Sequence, residues 1–240
     1  NTFVGYQAGA ANTTGGSSSF FGYQAGLVNN GLGQNNFFGY LSGGNTTTGF
    51  GNVAMGNLTL HANVDGDNNT AIGSNALRYL EPADGSSYNT AVGSQAGILL
   101  ETGVNNTFVG GLAGDGNTAG SNNTAVGKSA LSAGCGDNNT SIGANTLTVG
   151  TGTRNTAIGV NSGFTLTSGV SNTLLGGNAG NGGTTAKNLT TGDNNTLIGD
   201  QCTATAAAAD GANALGFQVS GEAGFTTLGL AADDIRAAHG

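Results

Sequence analysis

Large apolar residues recur along the chain directly in front of regularly spaced glycines. Each unit follows the pattern Asn-Thr-x-Φ-Gly, where Φ is a large apolar residue, as in "NTFVG" from Asn1 and "NTAIG" from Asn155. Most steps between these glycines are 16 or 17 residues, with longer steps of 20 and 23 and a last step of 13. Such a period indicates the stacked coils of a solenoid. The fourteen glycines in register are Gly5, Gly22, Gly39, Gly56, Gly73, Gly93, Gly110, Gly127, Gly143, Gly159, Gly176, Gly199, Gly216 and Gly229.

Two apolar columns precede these glycines. The residue immediately before the glycine is apolar in all fourteen coils, as in Val4, Phe21 and Ile72, and we expect this column to form the core of the coil. The residue two places before is mostly Phe, Ala or Leu, as in Phe3 and Ala54. Because neighbouring strand residues point to opposite faces, this second column should face away from the core and contact another subunit.

The pattern predicts strands and not helices. Recurrent glycine and β-branched residues disfavour a helix, and no apolar stripe with helical spacing persists. A 17-residue coil has room for about two strands of about five residues each with their turns. We expect the small residues three places after the glycine, such as Ala8 and Ala25, to lie on the second strand. The predicted fold is an all-β parallel β-roll of about 14 coils over residues 1–230, with 231–240 as a junction.

Asparagine stands four places before the glycine in eleven of the fourteen coils. Stacked identical Asn side chains can hydrogen-bond one another as a ladder, so we assign this column a structural role and treat the resulting N-x-T triplets as its by-product. The two cysteines, Cys135 and Cys202, fall in the eighth and twelfth coils. At about 4.8 Å per coil they lie about 19 Å apart, which is too far for a disulfide, so both should fill the core as thiols.

A single coil of this size encloses little volume, and its second apolar column needs cover. Self-association with cyclic symmetry would supply that cover, so the sequence predicts a homo-oligomer.

The units "NNTAIGSNAL", "NTAVGSQAG", "NNTAVGKSAL" and "NTAIGVNSG" resemble the head repeats of trimeric autotransporter adhesins, and more closely the repeats of phage tail fibres and bacterial fibre proteins. The resemblance covers essentially the whole chain. It implies a left-handed roll in a parallel homotrimer at a virion tail or a bacterial surface, which binds a glycan or protein of a host or prey cell. The last stretch, "GFTTLGLAADDIRAAHG", resembles the segment leading into an endosialidase-type intramolecular chaperone.

Composition excludes several classes of function. A formal net charge of −8 with only five Lys and Arg argues against nucleic-acid binding. The sequence has no run of 18 apolar residues, so it does not predict a segment that inserts into a membrane. No nucleotide-binding glycine motif occurs, so we expect no cofactor. The chain has two histidines, His61 and His239, and neither shares a repeat unit with a Ser or Cys. Because a catalytic nucleophile needs a nearby base, we expect no enzyme activity. Asp65 and Asp67 in "DGDNN" are weak metal candidates, with a solvated turn as the alternative.

Function is sought where the repeat is interrupted, because insertions in solenoids form surface loops. The 20-residue step contains "RYLEPADGSSY" and the 23-residue step contains "NAGNGGTTAKNLTTGD". The contact candidates in these insertions are Arg78, Tyr79, Glu81, Asp84, Tyr88 and Lys187.

Two further columns bear on function. Tyr6, Tyr23 and Tyr40 follow the glycine in the first three coils, where they either stack on sugar rings or pack at a trimer end. Threonine stands three places before the glycine in ten coils, which raises ice binding as a distant alternative. The leading expectation is a fibre shaft or adhesin segment, and a passive spacer without its own ligand is the alternative.

Overall fold

The computed structural model describes residues 1–31, 33–82, 85–182, 188–230 and 233–238. The chain divides into two compact units, Asn1–Asn122 and Asn123–Gly240. The described residues of each unit form a parallel β-solenoid without helices, in which one short strand per coil lies beside the strand of the next coil. The predicted all-β solenoid with a period of about 17 residues is therefore confirmed.

Seven parallel strands of the first unit form one sheet in the order β1-β2-β3-β4-β6-β8-β9, and β5 and β7 form a small parallel pair. Equivalent residues of successive coils are in register, so that Phe20 pairs with Phe3 and with Phe37. The strands are β1 (Thr2–Val4), β2 (Ser19–Phe21), β3 (Asn36–Phe38), β4 (Val53–Met55), β5 (Gly66–Asp67), β6 (Thr70–Ile72), β7 (Gly85–Ser86), β8 (Thr90–Val92) and β9 (Thr107–Val109).

The second unit continues the same construction and ends differently. Its sheet has the order β10-β11-β12-β13-β14-β16-β18-β19, in which β18 and β19 are antiparallel, and β15 pairs with β17. The strand β19 therefore covers the edge of the last parallel strand. The strands are β10 (Thr124–Val126), β11 (Thr140–Ile142), β12 (Thr156–Ile158), β13 (Thr173–Leu175), β14 (Thr196–Ile198), β15 (Thr203–Ala204), β16 (Asn213–Phe217), β17 (Ser220–Gly221), β18 (Phe225–Leu230) and β19 (Asp233–Ala238).

The structure reverses the predicted inside and outside of the strand. Phe20, Phe37 and Ala54, two places before the glycine, are fully buried in the coil, whereas Val4 and Met55, directly before the glycine, are 53% and 43% exposed. The sequence prediction was wrong because strand alternation says only that the two columns face opposite ways, and both columns are apolar. The column directly before the glycine is the outer one.

The predicted second strand is also wrong. Each regular coil has one strand of three residues, and the small residues three places after the glycine lie in a turn. Their burial is as expected, since Ala25 and Ala76 are fully buried. The residue before each of them has a positive φ, for example Gln24 at 54° and Asn75 at 59°, so the chain curves away at this point instead of extending.

In several coils, core volume is balanced between the strand and the turn. Where the strand contributes Phe20, the turn has Gly26, on which an added Cβ would lie 2.8 Å from the Phe20 ring. Where the strand contributes Ala54, the turn has Leu60, which is fully buried. Because a close-packed interior tolerates neither overlap nor voids, a large residue on one side requires a small one on the other.

The repeated glycine allows close contact between coils. Gly56 has φ 142°, and an added Cβ would lie 2.7 Å from the carbonyl oxygen of Gly73 in the next coil. An L side chain at this position would be strained and would also overlap the neighbouring backbone. This steric limit explains why the column of glycines is unbroken.

The asparagine ladder is confirmed. Asn52, which is fully buried, accepts a hydrogen bond from the backbone N–H of Asn69 through Oδ1 (2.9 Å) and donates through Nδ2 to the carbonyl oxygen of Gly66 (2.9 Å). The same bond joins the backbone N–H of Asn106 to Oδ1 of Asn89 in the first unit, and the backbone N–H of Asn172 to Oδ1 of Asn155 in the second. Where the asparagine is present, the ladder therefore joins one coil to the next at the point where the chain enters the strand.

Replacing one member of the ladder should be costly. Asn52→Ala removes the Oδ1 acceptor of two buried donors of Asn69, its backbone N–H and its Nδ2, so we expect a loss of about 2–4 kcal/mol in the free energy of unfolding. Urea denaturation followed by circular dichroism measures this loss. Asn57→Ala is the matched control, because the Asn57 side chain is exposed and its replacement should change stability by less than about 0.5 kcal/mol. Equal effects of the two variants would contradict the role of the ladder.

Candidate functional site

The first insertion brings some of its predicted residues together. The guanidinium of Arg78 lies 5.1 Å from the ring centroid of Tyr79, and its Nη1 donates to Oδ1 of Asn75 at 3.2 Å. Tyr79 is 42% exposed, so the pair presents a cation and an aromatic ring on the surface. Tyr88 is also exposed, with a positive φ of 48° just before the buried Asn89.

Glu81 turns towards the preceding coil. Its Oε2 accepts a hydrogen bond from the backbone N–H of Val64 at 2.7 Å. Burial raises the pKa of the Glu81 carboxyl, the hydrogen bond from Val64 opposes that rise, and the nearby Asp65 adds to it. Glu81 thus joins Asp65 in an acidic corner of the first unit. The predicted residues Asp84 and Lys187 lie outside the described residues.

The first insertion is also joined to the solenoid by a residue that the sequence analysis missed. Ser87 is fully buried, and its Oγ donates to Oδ1 of Asn69 at 2.8 Å. Gly85 and Ser86 pair with Gly66 and Asp67 of the preceding coil. The end of this insertion therefore continues the coil, although its length breaks the period.

The three predicted tyrosines form an exposed stack. Ring centroids of Tyr6 and Tyr23 are 5.2 Å apart, and those of Tyr23 and Tyr40 are 5.3 Å apart, with nearly parallel planes. Tyr23 is sandwiched between its two neighbours, so neither face of its ring is free for a sugar. The expectation of sugar stacking is restricted to the outer faces of Tyr6 and Tyr40. Beside the stack, Nε2 of Gln24 donates to Oε1 of Gln7 at 2.7 Å.

A surface groove of about 510 Å³ runs across four coils of the first unit. Four of its residues occupy the same place, nine residues after the repeated glycine, in successive coils. Two others stand eleven residues after it, in consecutive coils. Asp65 and Asp67, predicted only as weak metal ligands, are among these residues. The lining residues are Thr14, Asn30, Gly31, Thr48, Phe50, Asp65 and Asp67.

Hydrogen bonds hold the groove in shape. Oδ1 of Asp67 accepts from the backbone N–H of Phe50 at 2.9 Å, and Asp67 is only 8% exposed. Oδ1 of Asn30 accepts from the backbone N–H and the hydroxyl of Thr13, each at 2.9 Å. In the groove, side chains of one coil therefore fix the backbone of the preceding coil, whereas in the interior asparagine ladder the side chain fixes the backbone of the following coil.

The reactive side chains are placed for packing. Burial raises the pKa of the Cys135 thiol to about 12, so this cysteine is protonated at neutral pH. Cys202 is fully buried, and its Sγ donates to the carbonyl oxygen of Gly216 at 3.0 Å. Both cysteines are free thiols, as the coil spacing predicted.

Two further findings concern metals and membranes. Within the described part of the chain, no three His, Cys, Asp or Glu side chains come together as a metal site would require. In the same part, no helix has the length and apolar character needed to cross a bilayer.

Comparison with known proteins gives no match: no family model fits the sequence, and no curated protein or solved structure is significantly similar. The function must therefore be inferred from the geometry of the chain itself.

His61 should make the first unit sensitive to acid. Burial and the positive charge of Arg78 lower the pKa of His61 below its usual 6.5, while a backbone hydrogen bond opposes them. Protonation is then easier in the unfolded chain, so stability present above pH 6.5 is lost as the pH falls towards the lowered pKa.

We expect His61→Gln to reduce the decrease in urea midpoint between pH 7.5 and pH 5. Arg78→Gln is the companion variant, and it should reduce the decrease partly, because burial still acts on His61. A wild-type decrease that both variants retain in full would contradict this origin of acid sensitivity.

Proposed function

We propose that this chain is a segment of a parallel homotrimeric fibre with left-handed coils, of the kind found in phage tail fibres and trimeric autotransporter adhesins. In this role it lies outside the cell or virion and holds a binding end towards a glycan or protein of a host or prey cell. Three copies raise avidity without any single strong site. The proposal includes a position ahead of an endosialidase-type chaperone.

The outer apolar column is the observation that carries the proposal. On the strand face of the first unit, Met55, Ile72 and Val109 are between 36% and 43% exposed, and Phe21 and Phe38 stack at 4.9 Å. On the second unit, Ile142, Leu175 and Leu215 are between 37% and 50% exposed. Continuous apolar stripes of this kind are typical of interaction surfaces. A copy of the same chain would bury each stripe against its own equivalent.

The roles of the buried side chains also agree with a fibre function. Buried side chains of the coils pack, as Phe37 and Leu60 do, or serve the backbone, as Asn52 does. A scaffold of this type gives length and rigidity, while ligands are met on its surface. A passive spacer has the same scaffold and differs only in having no ligand of its own.

Molar mass in solution tests the assembly. A trimer of a 23.2 kDa chain has a mass of about 70 kDa, three times the chain mass, by light scattering. Ile72→Asp and Leu175→Asp place a charge on the outer column and should shift the mass towards that of one chain. Leu99→Asp is the matched control, because Leu99 is 44% exposed on a turn and should leave the trimer intact. A folded wild-type monomer would refute the trimer.

Ice binding is the second candidate, and one observation favours it. Thr70 and Ile72 are two residues apart on one strand, so both side chains lie on the outward face, and Thr173 and Leu175 repeat this arrangement. Rows of threonine and aliphatic side chains on a regular sheet can order water. This function needs the same face to remain uncovered, so it excludes the trimer.

Thermal hysteresis separates the two functions. Ice binding predicts a monomer that depresses the freezing point below the melting point, and Thr173→Lys should abolish that gap. The fibre predicts a trimer without measurable hysteresis. Hysteresis in the wild-type monomer would support the second function against the first.

A further inference from the structure

We propose that the groove between Thr14 and Asp67 binds a neutral oligosaccharide that runs along the axis of the first unit. This inference gives the proposed fibre a ligand site of its own and in that sense rests on the proposed function. The groove lies on the segment that precedes the strand, whereas the outer apolar column lies on the strand itself. The outer apolar column and the groove therefore have no residue in common.

The size and direction of the groove suit a linear ligand. Its volume of about 510 Å³ lies in the usual range for small-molecule sites. Thr14, Gly31, Thr48 and Asp65 stand at equivalent places in four successive coils, so the groove extends over three coil steps, or about 14 Å. Gly31 contributes no side chain, which leaves the middle of the groove open.

The lining chemistry matches hydroxyl groups. Threonine hydroxyls can both donate and accept hydrogen bonds, the Asn30 amide nitrogen can donate, and the Asp65 carboxylate can accept strongly from hydroxyl donors. Oδ1 of Asn30 and Oδ1 of Asp67 are already engaged with backbone N–H groups and position the groove. Phe50 adds an apolar aromatic surface, against which the C–H face of a pyranose ring can pack. Polar groups that fix orientation around an apolar surface are typical of a ligand site.

Charge selects the class of sugar. Asp65 and Asp67 lie in the groove, Glu81 lies in the same acidic corner, and the whole chain has a net charge of −8. Repulsion between like charges disfavours sialylated, sulfated and phosphorylated ligands. Neutral hexoses and N-acetylhexosamines carry no such penalty.

The groove also differs from the other predicted contact surface. The stacked tyrosines offer ring edges, hydroxyls and the outer faces of Tyr6 and Tyr40, because each inner ring face is occupied by its neighbour. Phe50 has no such partner among the stacked pairs of the described residues. Phe50 is therefore the better placed of these aromatic residues for stacking on a sugar.

The test is binding of the full chain to an array of neutral hexose and N-acetylhexosamine oligosaccharides, with sialylated and sulfated glycans on the same array. We expect binding to neutral glycans alone. Phe50→Val and Asp65→Thr should each weaken binding at least about tenfold. Both replacements already occur at equivalent places of the repeat, as Val104 and Thr102, so the fold should tolerate them.

Val104→Ala and Glu101→Gln are the controls, since they change a similar apolar residue and a similar charge away from the groove. They should leave binding unchanged. Absence of binding to every neutral glycan, or binding that survives both groove variants, would overturn the proposal. Loss of binding on addition of EDTA would also overturn it, because recognition would then depend on a cation.

Light scattering on the same samples separates this result from the assembly. A trimer without glycan binding refutes the groove and leaves the fibre, whereas a monomer that binds neutral glycans through Phe50 refutes the trimer and leaves the groove.

Discussion

The fold of each unit depends on one constraint: the backbone N–H and C=O groups inside a narrow coil must find hydrogen-bond partners where there is no room for water. A coil of about 17 residues has many turns, and turns leave N–H and C=O groups without ladder partners. The asparagine column supplies missing partners, because the Asn52 amide accepts from the backbone N–H of Asn69 in the next coil and donates to the carbonyl oxygen of Gly66. An unpaired group at this depth would cost about as much as a lost hydrogen bond.

The need to hydrogen-bond the backbone also limits which residues can occupy the other interior positions of the coil. Coils joined by asparagine must be in register, and register brings the glycines face to face, so that Gly56 meets the backbone of Gly73. The space that remains is small. Phe20 therefore requires Gly26 opposite, while Ala54 leaves room for Leu60. The repetitive sequence follows from a repeated steric problem with few solutions.

Much of this fold could be predicted from the sequence, and the part that could not has a definite cause. The period, the asparagine ladder and the free thiols follow from spacing alone. The inward column does not, because Ala54 and Met55 are both apolar, and alternation gives no absolute direction. The direction is indicated instead by paired residue sizes: a strand Phe occurs with a turn Gly, as in Phe20 and Gly26, and a strand Ala occurs with a turn Leu, as in Ala54 and Leu60. A reading of strand and turn together would have placed Phe20 inside the coil.

The candidate site was harder to predict for a related reason. The groove is built from Thr14, Thr48, Phe50 and Asp65, which lie in three different coils and belong to no local motif. The insertions drew attention because they interrupt the period, yet Ser87 shows that the end of one rejoins the ladder. In a solenoid, residues at the same place of successive coils become neighbours about 4.8 Å apart. A ligand surface can therefore arise from substitutions within a regular repeat. Residues in outward-facing columns can vary, because they neither pack in the core nor hydrogen-bond the buried backbone.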